Sequence, residues 1–278
     1  MDIRDLNGRL AVITGGSSGI GYAIAERLAR RGADLLLVAR DEAKLADAAA
    51  TLDEIGSGDV QVVSADVTRE ADIQRVAERV GAMAPAADIV INSAGIVSAG
   101  LLHEVPLAEW DRLHNINVRG LVQVLQALIP DMITAHGQDG RQRQIVNIGS
   151  AAGFSGVPGM AAYGATKAAV IALSESLRLE LAGQGIGVTA ICPGFVQTPI
   201  AETVQLFGRM NNPKTEKVIR RMFALGNLSP ERVADITLQA MARNRGFVAI
   251  GREASAGHLL KRLSPNLFAR VVARTTRI

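Results

Sequence analysis

Short apolar segments alternate with longer amphipathic segments along most of this 278-residue chain, and this alternation limits the possible folds more than any other feature. Each short segment is apolar at nearly every position, which is typical of a strand buried on both faces. Adjacent parallel strands need a long crossover, and the helical segments between them supply it. We predict strands over residues 10–14, 34–39, 60–65, 88–92, 144–148, 187–192 and 247–250.

The longer segments predict helices that cover both faces of a parallel sheet. A further helix start is marked by Ser229-Pro230-Glu231, where serine can cap the helix and proline suits the first turn. The fold class is therefore α/β, a Rossmann-type doubly wound parallel sheet of about seven strands in one domain over residues 1–278. The other helices are predicted over residues 20–31, 41–55, 70–81, 109–135 and 161–182.

A glycine-rich segment, Thr14-Gly15-Gly16-Ser17-Ser18-Gly19-Ile20-Gly21, joins the first strand to the first helix. Glycine permits a tight turn and a close backbone approach to a pyrophosphate, and the helix N-terminus offers free N–H groups. In doubly wound sheets, ligands bind beyond the carboxyl ends of the strands, where this segment lies. We therefore expect a dinucleotide to bind here.

The end of the second strand favours NADP(H) over NAD(H). A fold that prefers NAD places a carboxylate here for the ribose 2′-hydroxyl, but this chain has Ala39 and then Arg40. A guanidinium can bind a 2′-phosphate through two N–H donors, although Arg40 could instead be a solvated surface charge. Asp41 better fits the N-terminus of the next helix.

Two further strand ends carry residues that could contact a cofactor. Asp66 follows the third strand and could accept a hydrogen bond from an adenine amino group, or it could merely cap the next helix. Asn92-Ser93-Ala94-Gly95 ends the fourth strand, and its small residues would let a cofactor pass closely.

Tyr163 and Lys167 are four residues apart on a predicted helix and therefore share a face. We expect the lysine ammonium to lower the tyrosine pKa from its usual value of about 10, so that the phenol can exchange a proton with substrate. Ser150 ends the fifth strand and could hold a substrate oxygen, or only cap a turn. Asn117 interrupts the long helix and could hold a water beside Lys167, or only satisfy a kink.

These motifs, in this order, resemble those of the short-chain dehydrogenase/reductase family over about residues 8–250. The resemblance implies a tetrad of Asn117, Ser150, Tyr163 and Lys167, and a homodimer or homotetramer. Ser93 and Gly149 depart from residues that are common in the family, but neither removes a catalytic group. The implied cofactor contacts are Gly15, Ser17, Ser18, Gly19, Ile20, Gly21, Arg40, Asp66, Val67, Asn92, Ala94, Gly95, Tyr163, Lys167, Pro193, Gly194, Val196 and Thr198.

The resemblance implies an NADP(H)-dependent oxidoreductase that interconverts a secondary alcohol and a ketone. A non-catalytic NADP(H)-binding regulator or scaffold is the alternative, although such a protein need not keep the tyrosine, lysine and serine together. Residues 195–228 resemble a substrate lid. Apolar residues on this lid and on the expected pocket wall favour a bulky, lipid-, steroid- or aromatic-like carbonyl substrate, with ordinary packing as the alternative: Phe154, Val157, Met160, Phe195, Leu206, Phe207, Met210, Met222 and Phe223.

Positive charge is concentrated at the C-terminus, because residues 252–278 carry six Lys or Arg and one acid although the whole chain is only +3. The main body is therefore net negative, and we expect no nucleic-acid partner. Short helices are predicted from Ser255 and from Ser264-Pro265. The second could contact an anionic membrane surface or, as we favour, pack on protein. Its apolar side is Leu267, Phe268, Val271 and Val272, and its basic side is Arg270, Arg274 and Arg277.

The remaining sequence features favour a cytoplasmic protein without a catalytic metal. The four histidines, at positions 103, 114, 136 and 258, lack metal-ligand spacing. A single cysteine, Cys192, allows no intrachain disulfide and is expected to be a buried strand residue. The N-terminus has no apolar signal core, and no apolar run approaches the about 20 residues that span a bilayer.

Overall fold

A computed structural model describes residues 1–56, 58–224, 226 and 228–275. The chain begins with strand–helix alternation: β1 (Leu10–Thr14), α1 (Gly19–Ala29), β2 (Asp34–Ala39), α2 (Glu42–Ile55), β3 (Val60–Ser64), α3 (Glu70–Met83) and β4 (Ile89–Asn92). It continues with β5 (Ser98–Ala99), α4 (Leu107–His114), a π-helical segment (Asn115–Gly120), α5 (Leu121–Asp139), β6 (Arg143–Ile148), α6 (Ala161–Glu180) and β7 (Ile186–Pro193). The last elements are β8 (Gln205–Leu206), α7 (Pro213–Ala224), α8 (Pro230–Ala242), β9 (Phe247–Ile250), α9 (Arg252–Leu263) and α10 (Pro265–Thr275).

The described strands form one parallel sheet in the order β3-β2-β1-β4-β6-β7-β9, and β5 pairs separately with β8. The strands β2 and β3 lie on one side of β1, whereas β4, β6, β7 and β9 lie on its other side. The order therefore reverses between β1 and β4, which creates a crevice at their carboxyl ends. The predicted α/β class and all seven predicted strands are confirmed, with boundaries within a residue or so.

Hydrophobic layers cover both faces of the sheet, because successive strand side chains point to opposite sides. Within β1, Ile13 packs in the layer that includes α1 and α8, while Val12 packs in the layer that includes α3, α5 and α6. Both side chains are fully buried. This two-sided burial explains why the strands are apolar throughout.

The first C-terminal helix, α9, packs on the body of the same chain. The His258 ring of α9 stacks on Phe247 at a centroid distance of 4.5 Å and meets Phe154 edge-on at 5.1 Å. The Lys261 Nζ donates to the Phe154 carbonyl at 2.6 Å. These contacts place α9 on protein, whereas our preference for packing concerned the second tail helix, α10, and stays a prediction.

The predicted start of the first tail helix at Ser255 is wrong. The α9 helix begins at Arg252, because Gly251 with φ +108° ends β9 and turns the chain directly into a helix. The predicted start of α10 at Pro265 is confirmed. Within α10, Leu267 and Val271 are exposed, and Arg277 lies outside the described residues.

Two other helix features agree with the sequence. The predicted interruption near residues 115–117 is the π-helical segment between α4 and α5. Asp41 caps α2 by accepting from the Lys44 backbone N–H at 3.1 Å, and Ser229 caps α8 in the same way through Arg232. None of the described helices has both the length and the apolar character needed to cross a bilayer.

Candidate active site

Two adjoining cavities lie at the carboxyl ends of the strands, where the strand order reverses. The larger has a volume of about 530 Å³, and the smaller, of about 290 Å³, lies beyond the ends of β2 and β3. Both are lined by Gly15, Ser18, Arg40, Lys44, Ala94, Gly95 and Ile96. Further predicted residues that line one cavity or the other are Ser17, Ile20, Asp66, Val67, Ser150, Tyr163, Lys167, Pro193, Gly194, Val196 and Thr198.

The glycine-rich segment forms a tight turn against the end of β4. Gly15 has φ +66°, and a Cβ there would lie 2.9 Å from the Ala94 amide nitrogen. A Cβ at Gly21 would collide with the Gly15 carbonyl oxygen. Gly19 and Gly21 do not line either cavity, so their contribution is to the conformation of the turn and not to the cavity surface. No side chain caps the N-terminus of α1, which leaves its first N–H groups available to a ligand.

Arg40 and Lys44 place two cations at the wall that both cavities share. The exposed Arg40 guanidinium forms no hydrogen bond or ion pair with any residue in the described part of the chain. The Lys44 Nζ lies 3.4 Å from the Asp41 carboxylate. Sequence reasoning missed Lys44, and its only signal was its place one turn after Asp41 on the same helix face.

Asp66 caps a turn and also lines the smaller cavity. Its Oδ1 accepts from the backbone N–H and the hydroxyl of Thr68, at 2.9 and 2.8 Å. Its Oδ2 has no partner among the described residues, and the side chain lines the cavity. The helix-cap reading is wrong, because α3 begins after Arg69 with no side-chain cap, and the adenine contact of Asp66 stays a prediction.

Asn92 lies below the cavities rather than at their surface. Its Nδ2 donates to Asn147 at 2.9 Å, and the Asn147 amide donates to Ser174 at 2.9 Å. The Asn92 side chain is buried, and its Oδ1 lacks a partner. Asn92 therefore belongs to a buried polar ladder that connects β4, β6 and α6.

Ser150, Tyr163 and Lys167 converge on one wall of the larger cavity. The Lys167 Nζ lies 5.9 Å from the ring centroid of Tyr163 and donates to the Ile148 carbonyl at 2.8 Å. The Ser150 hydroxyl bonds the Tyr163 side chain and accepts from the Ala152 N–H at 3.1 Å. Ser150 is therefore both a turn cap and a neighbour of the phenol.

The expected lowering of the tyrosine pKa is wrong for the protein without ligand. Burial raises the pKa of Tyr163 to about 12, and the hydrogen bond from Ser150 offsets only part of this rise. Burial also lowers the pKa of Lys167 to about 8. The charged form of each group loses more hydration than its neighbours replace, so the neutral phenol is the stable form at neutral pH.

Asn117 acts on the site through its neighbours. Its Oδ1 accepts from the Ile96 N–H at 2.8 Å, and its Nδ2 donates to the Ile96 carbonyl at 3.0 Å and to Thr166 at 3.1 Å. It does not line either cavity. A Cβ at Gly95 would lie 3.2 Å from the Asn117 Oδ1 and 3.5 Å from the Lys167 Nζ. This geometry favours the interpretation of Asn117 as a kink residue whose hydrogen bonds fix the position of the cavity wall at Gly95 and Ile96.

The outer part of the larger cavity is mainly apolar. Phe195 and Phe223 line it and form an edge-on pair with a centroid distance of 5.3 Å. Val157 and Met160 line it as expected, together with residues that the sequence did not indicate: Ile96, Val97, Arg112, Ile200, Thr203 and Gln205. Of these, Gln205 pairs with Ser98 across β5 and β8, a contact between distant segments that no local sequence pattern indicates.

Several expected pocket residues lie elsewhere. Phe154 packs in a buried cluster with Cys192, Phe247 and other residues, because the tail helix α9 holds it there. The expected burial of Cys192 is confirmed. The remaining expected lid residues do not line the cavity: Leu206, Phe207, Met210 and Met222. Within the described residues, no three His, Cys, Asp or Glu side chains are grouped as a metal site.

The sheet order and the cavity at its reversal point define a Rossmann-type nucleotide-binding class. Within that class, the family described as short chain dehydrogenase matches residues 9–207, and the chain belongs to this family. The protein is therefore an oxidoreductase of the short-chain dehydrogenase type.

Three relatives show the extent of the similarity. An uncharacterized oxidoreductase of Staphylococcus epidermidis is 36% identical over 232 residues, which is 83% of this chain and 96% of the relative. A solved Burkholderia phymatum family member in complex with NAD is 30% identical, with a TM-score of 0.84 and 96% of both chains covered. A short-chain dehydrogenase from Sphingobium yanoikuyae in complex with NADPH is 32% identical, with a TM-score of 0.75. The match covers 97% of this chain and 96% of the solved chain.

Proposed function

We propose that this protein interconverts a ketone and a secondary alcohol with NADP(H) as cofactor. The observation that carries the proposal is the convergence of Ser150, Tyr163 and Lys167 on one cavity wall that continues past the glycine turn to Arg40. A bound nicotinamide supplies hydride for reduction or accepts it in oxidation. The protein's own residues then have to hold the substrate oxygen and move one proton.

Tyr163 is the proton donor in the reduction. Its pKa of about 12 keeps the phenol protonated at neutral pH, so its Oη can donate a proton to the carbonyl oxygen. The Ser150 hydroxyl, which already bonds the Tyr163 side chain, holds the same oxygen. Lys167 is charged below a pH of about 8 and stabilises the phenolate that remains after proton transfer.

The residues that line the smaller cavity fit a dinucleotide. The glycine turn and the uncapped start of α1 suit a pyrophosphate, and the free Asp66 Oδ2 can accept from an adenine amino group. Solved relatives are complexes with NAD or with NADPH, so family membership alone does not select one cofactor. Arg40, with its unpaired guanidinium, and the neighbouring Lys44 favour NADP(H), because a 2′-phosphate adds negative charge at this wall.

The apolar outer cavity supports a bulky or apolar carbonyl substrate. A panel of lipid-like, steroid-like and aromatic ketones, followed by the loss of NADPH absorbance, tests the proposed function directly. We expect turnover of at least one apolar ketone. Tight NADPH binding without turnover across the whole panel would contradict the proposal and favour a non-catalytic regulator.

We also propose one catalytic domain with a lid over residues 195–228, assembled as a homodimer or homotetramer in the cytoplasm. The family resemblance supports this assembly. Exposed Leu267 and Val271 beside the basic residues of α10 support a low-affinity contact with an anionic membrane surface. The net negative main body argues against a nucleic-acid partner.

A further inference from the structure

The larger cavity ends in a polar group that takes no part in the proposed chemistry. Tyr163 and Lys167 are 9% and 7% exposed, whereas the Arg112 side chain is 36% exposed and Gln205 is an exposed residue. All four line the same cavity. The lining therefore includes both the buried reacting groups and a more exposed polar pair, Arg112 and Gln205, which we define as the rim. Apolar residues also line this cavity: Val97, Val157, Met160, Phe195, Ile200 and Phe223.

A buried carboxylate fixes the orientation of Arg112. The Arg112 Nε and Nη2 donate to the two carboxylate oxygens of Glu109, at 2.7 and 2.8 Å. The Glu109 side chain is only 6% exposed. This two-point contact holds the guanidinium plane in one orientation and raises the pKa of Arg112, so the residue stays cationic. Because Glu109 neutralises that cation, the rim has little net charge.

Gln205 connects the lid to this pair and presents a donor. Its Oε1 accepts from the Arg112 Nη2 at 3.0 Å. Arginine has no acceptor, so this contact fixes the glutamine oxygen toward Arg112 and leaves the Nε2 amide for another partner. The Gln205 Nε2 and the Arg112 Nη1 form no hydrogen bond with any residue that the structure describes. The rim therefore offers two sets of free donors.

We propose that the rim binds an acceptor oxygen, as in an ester, amide or carboxylate, at the far end of an apolar ketone substrate. This inference rests on the proposed function and names the substrate class more closely. Free donors match an acceptor, whereas an ammonium group has only donors and offers the rim no acceptor. Since Glu109 already balances the charge, a neutral ester is bound as well as an anion.

A matched ketone series tests the rim. Four ketones of equal chain length end in methyl, methyl ester, carboxylate or ammonium, and kcat/KM is measured with NADPH. We expect the ester and the carboxylate to exceed the methyl compound by about tenfold, the ratio that one hydrogen bond to a charged donor supplies. The gain should appear mainly in KM, because Arg112 and Gln205 form no described hydrogen bond with Ser150, Tyr163 or Lys167. Equal values for methyl and ester would overturn the inference.

Paired substitutions separate the effect of the rim on substrate preference from any effect on protein stability. Arg112→Met alone leaves the buried Glu109 unpaired and can impair folding, so Glu109→Gln/Arg112→Met/Gln205→Met removes both charges and both sets of free donors. We expect its ester-to-methyl ratio to fall close to one with methyl-ketone turnover retained. Glu216→Gln/Arg220→Met changes an exposed pair on α7 that does not line the cavity, and it should keep the wild-type ratio. A ratio that stays high in the rim variant would contradict the assignment.

Two measurements keep this test independent of the proposed chemistry. Glu109→Gln alone leaves Arg112 without its counter-charge, so the preference for carboxylate over ester should rise; an unchanged preference counts against the rim. Dissociation constants of the same series, measured by calorimetry with NADP+ present, report the rim even without turnover. Absence of turnover with a retained tenfold difference in binding would refute the proposed function and support the rim.

Discussion

Burial has a larger effect on Tyr163 than the neighbouring lysine does. The four-residue spacing correctly places Tyr163 and Lys167 together, but it cannot report how much hydration each group loses. The structure shows both groups buried, with the Lys167 Nζ directed at the Ile148 carbonyl. The phenol is therefore protonated at neutral pH, and in our proposal it donates this proton to the carbonyl oxygen during reduction.

The pH dependence follows from these two pKa values. Reduction needs a protonated Tyr163 and a charged Lys167, so its rate should stay level below about pH 8 and fall as Lys167 loses its proton above it. In a Tyr22→Phe variant, Tyr163 is the only tyrosine, and its phenolate absorbance should appear only as the pH approaches about 12. A phenolate signal near pH 8 in the protein without ligand would contradict this account.

In our proposal, Arg40 selects between the two nicotinamide cofactors. Arg40→Asp replaces a cation by an anion at the wall that would face a 2′-phosphate, so NADPH affinity should fall by about a hundredfold or more. NADH lacks that phosphate and serves as the matched control, with little change expected. Fluorescence titration measures both dissociation constants. Equal losses for NADPH and NADH would refute the assignment of Arg40.

Residues whose role depends on a strand end could be predicted from the sequence, whereas residues brought in by tertiary contacts could not. Arg40 and Ser150 each line a cavity because parallel strands end at one edge, and Tyr163 lines the larger cavity from α6. Arg112 lines the larger cavity and donates to Gln205 of β8, which lies 93 residues further along the chain. No local pattern carries that information.

At the scale of elements, α9 supports the segment that carries Ser150. The turn after Ser150 runs through residues 151–153 to Phe154, whose carbonyl accepts from Lys261 and whose ring contacts His258. The sequence predicted a helix in this region but misplaced its start, since the glycine conformation that turns β9 into α9 is not visible in a propensity pattern. The tail helix is thus part of the active-site framework.

Removal of the Lys261 contact tests this support. Lys261→Met removes one charged hydrogen bond while keeping the aliphatic stem, and it should lower the free energy of unfolding by about 1 to 2 kcal/mol. Arg262→Met is the matched control on the next residue and should have little effect. Denaturant unfolding followed by circular dichroism gives both values. Equal stability of the two variants would show that the contact does not hold this segment.

For the whole molecule, the alternation of segments predicted the sheet and the layers on both faces. Two features were not predictable: β5 and β8 are two residues each, and α7 lies within the expected lid. Such short strands form only because distant segments meet, so their sequences carry no periodicity of their own. Charge is also uneven at this scale, with a basic tail on a net negative body.

The basic tail gives a prediction about membrane surfaces. Exposed Leu267 and Val271, together with the arginines of α10, should give salt-sensitive, low-affinity binding to vesicles that contain anionic lipid. Arg270→Glu/Arg274→Glu should abolish this binding and leave ketone reduction unchanged. Co-sedimentation is the measurement. Binding that survives both charge reversals would exclude this role for α10.

The most direct test of the account is to remove the hydroxyl of Tyr163 while preserving the ring. Tyr163→Phe should reduce ketone turnover by at least about a thousandfold, because general acid catalysis at the carbonyl oxygen is lost. NADPH binding, measured by fluorescence titration on the same preparation, should stay within about threefold of wild type. Near-normal turnover by this variant, with the cofactor bound, would contradict the assignment of Tyr163 as the proton donor.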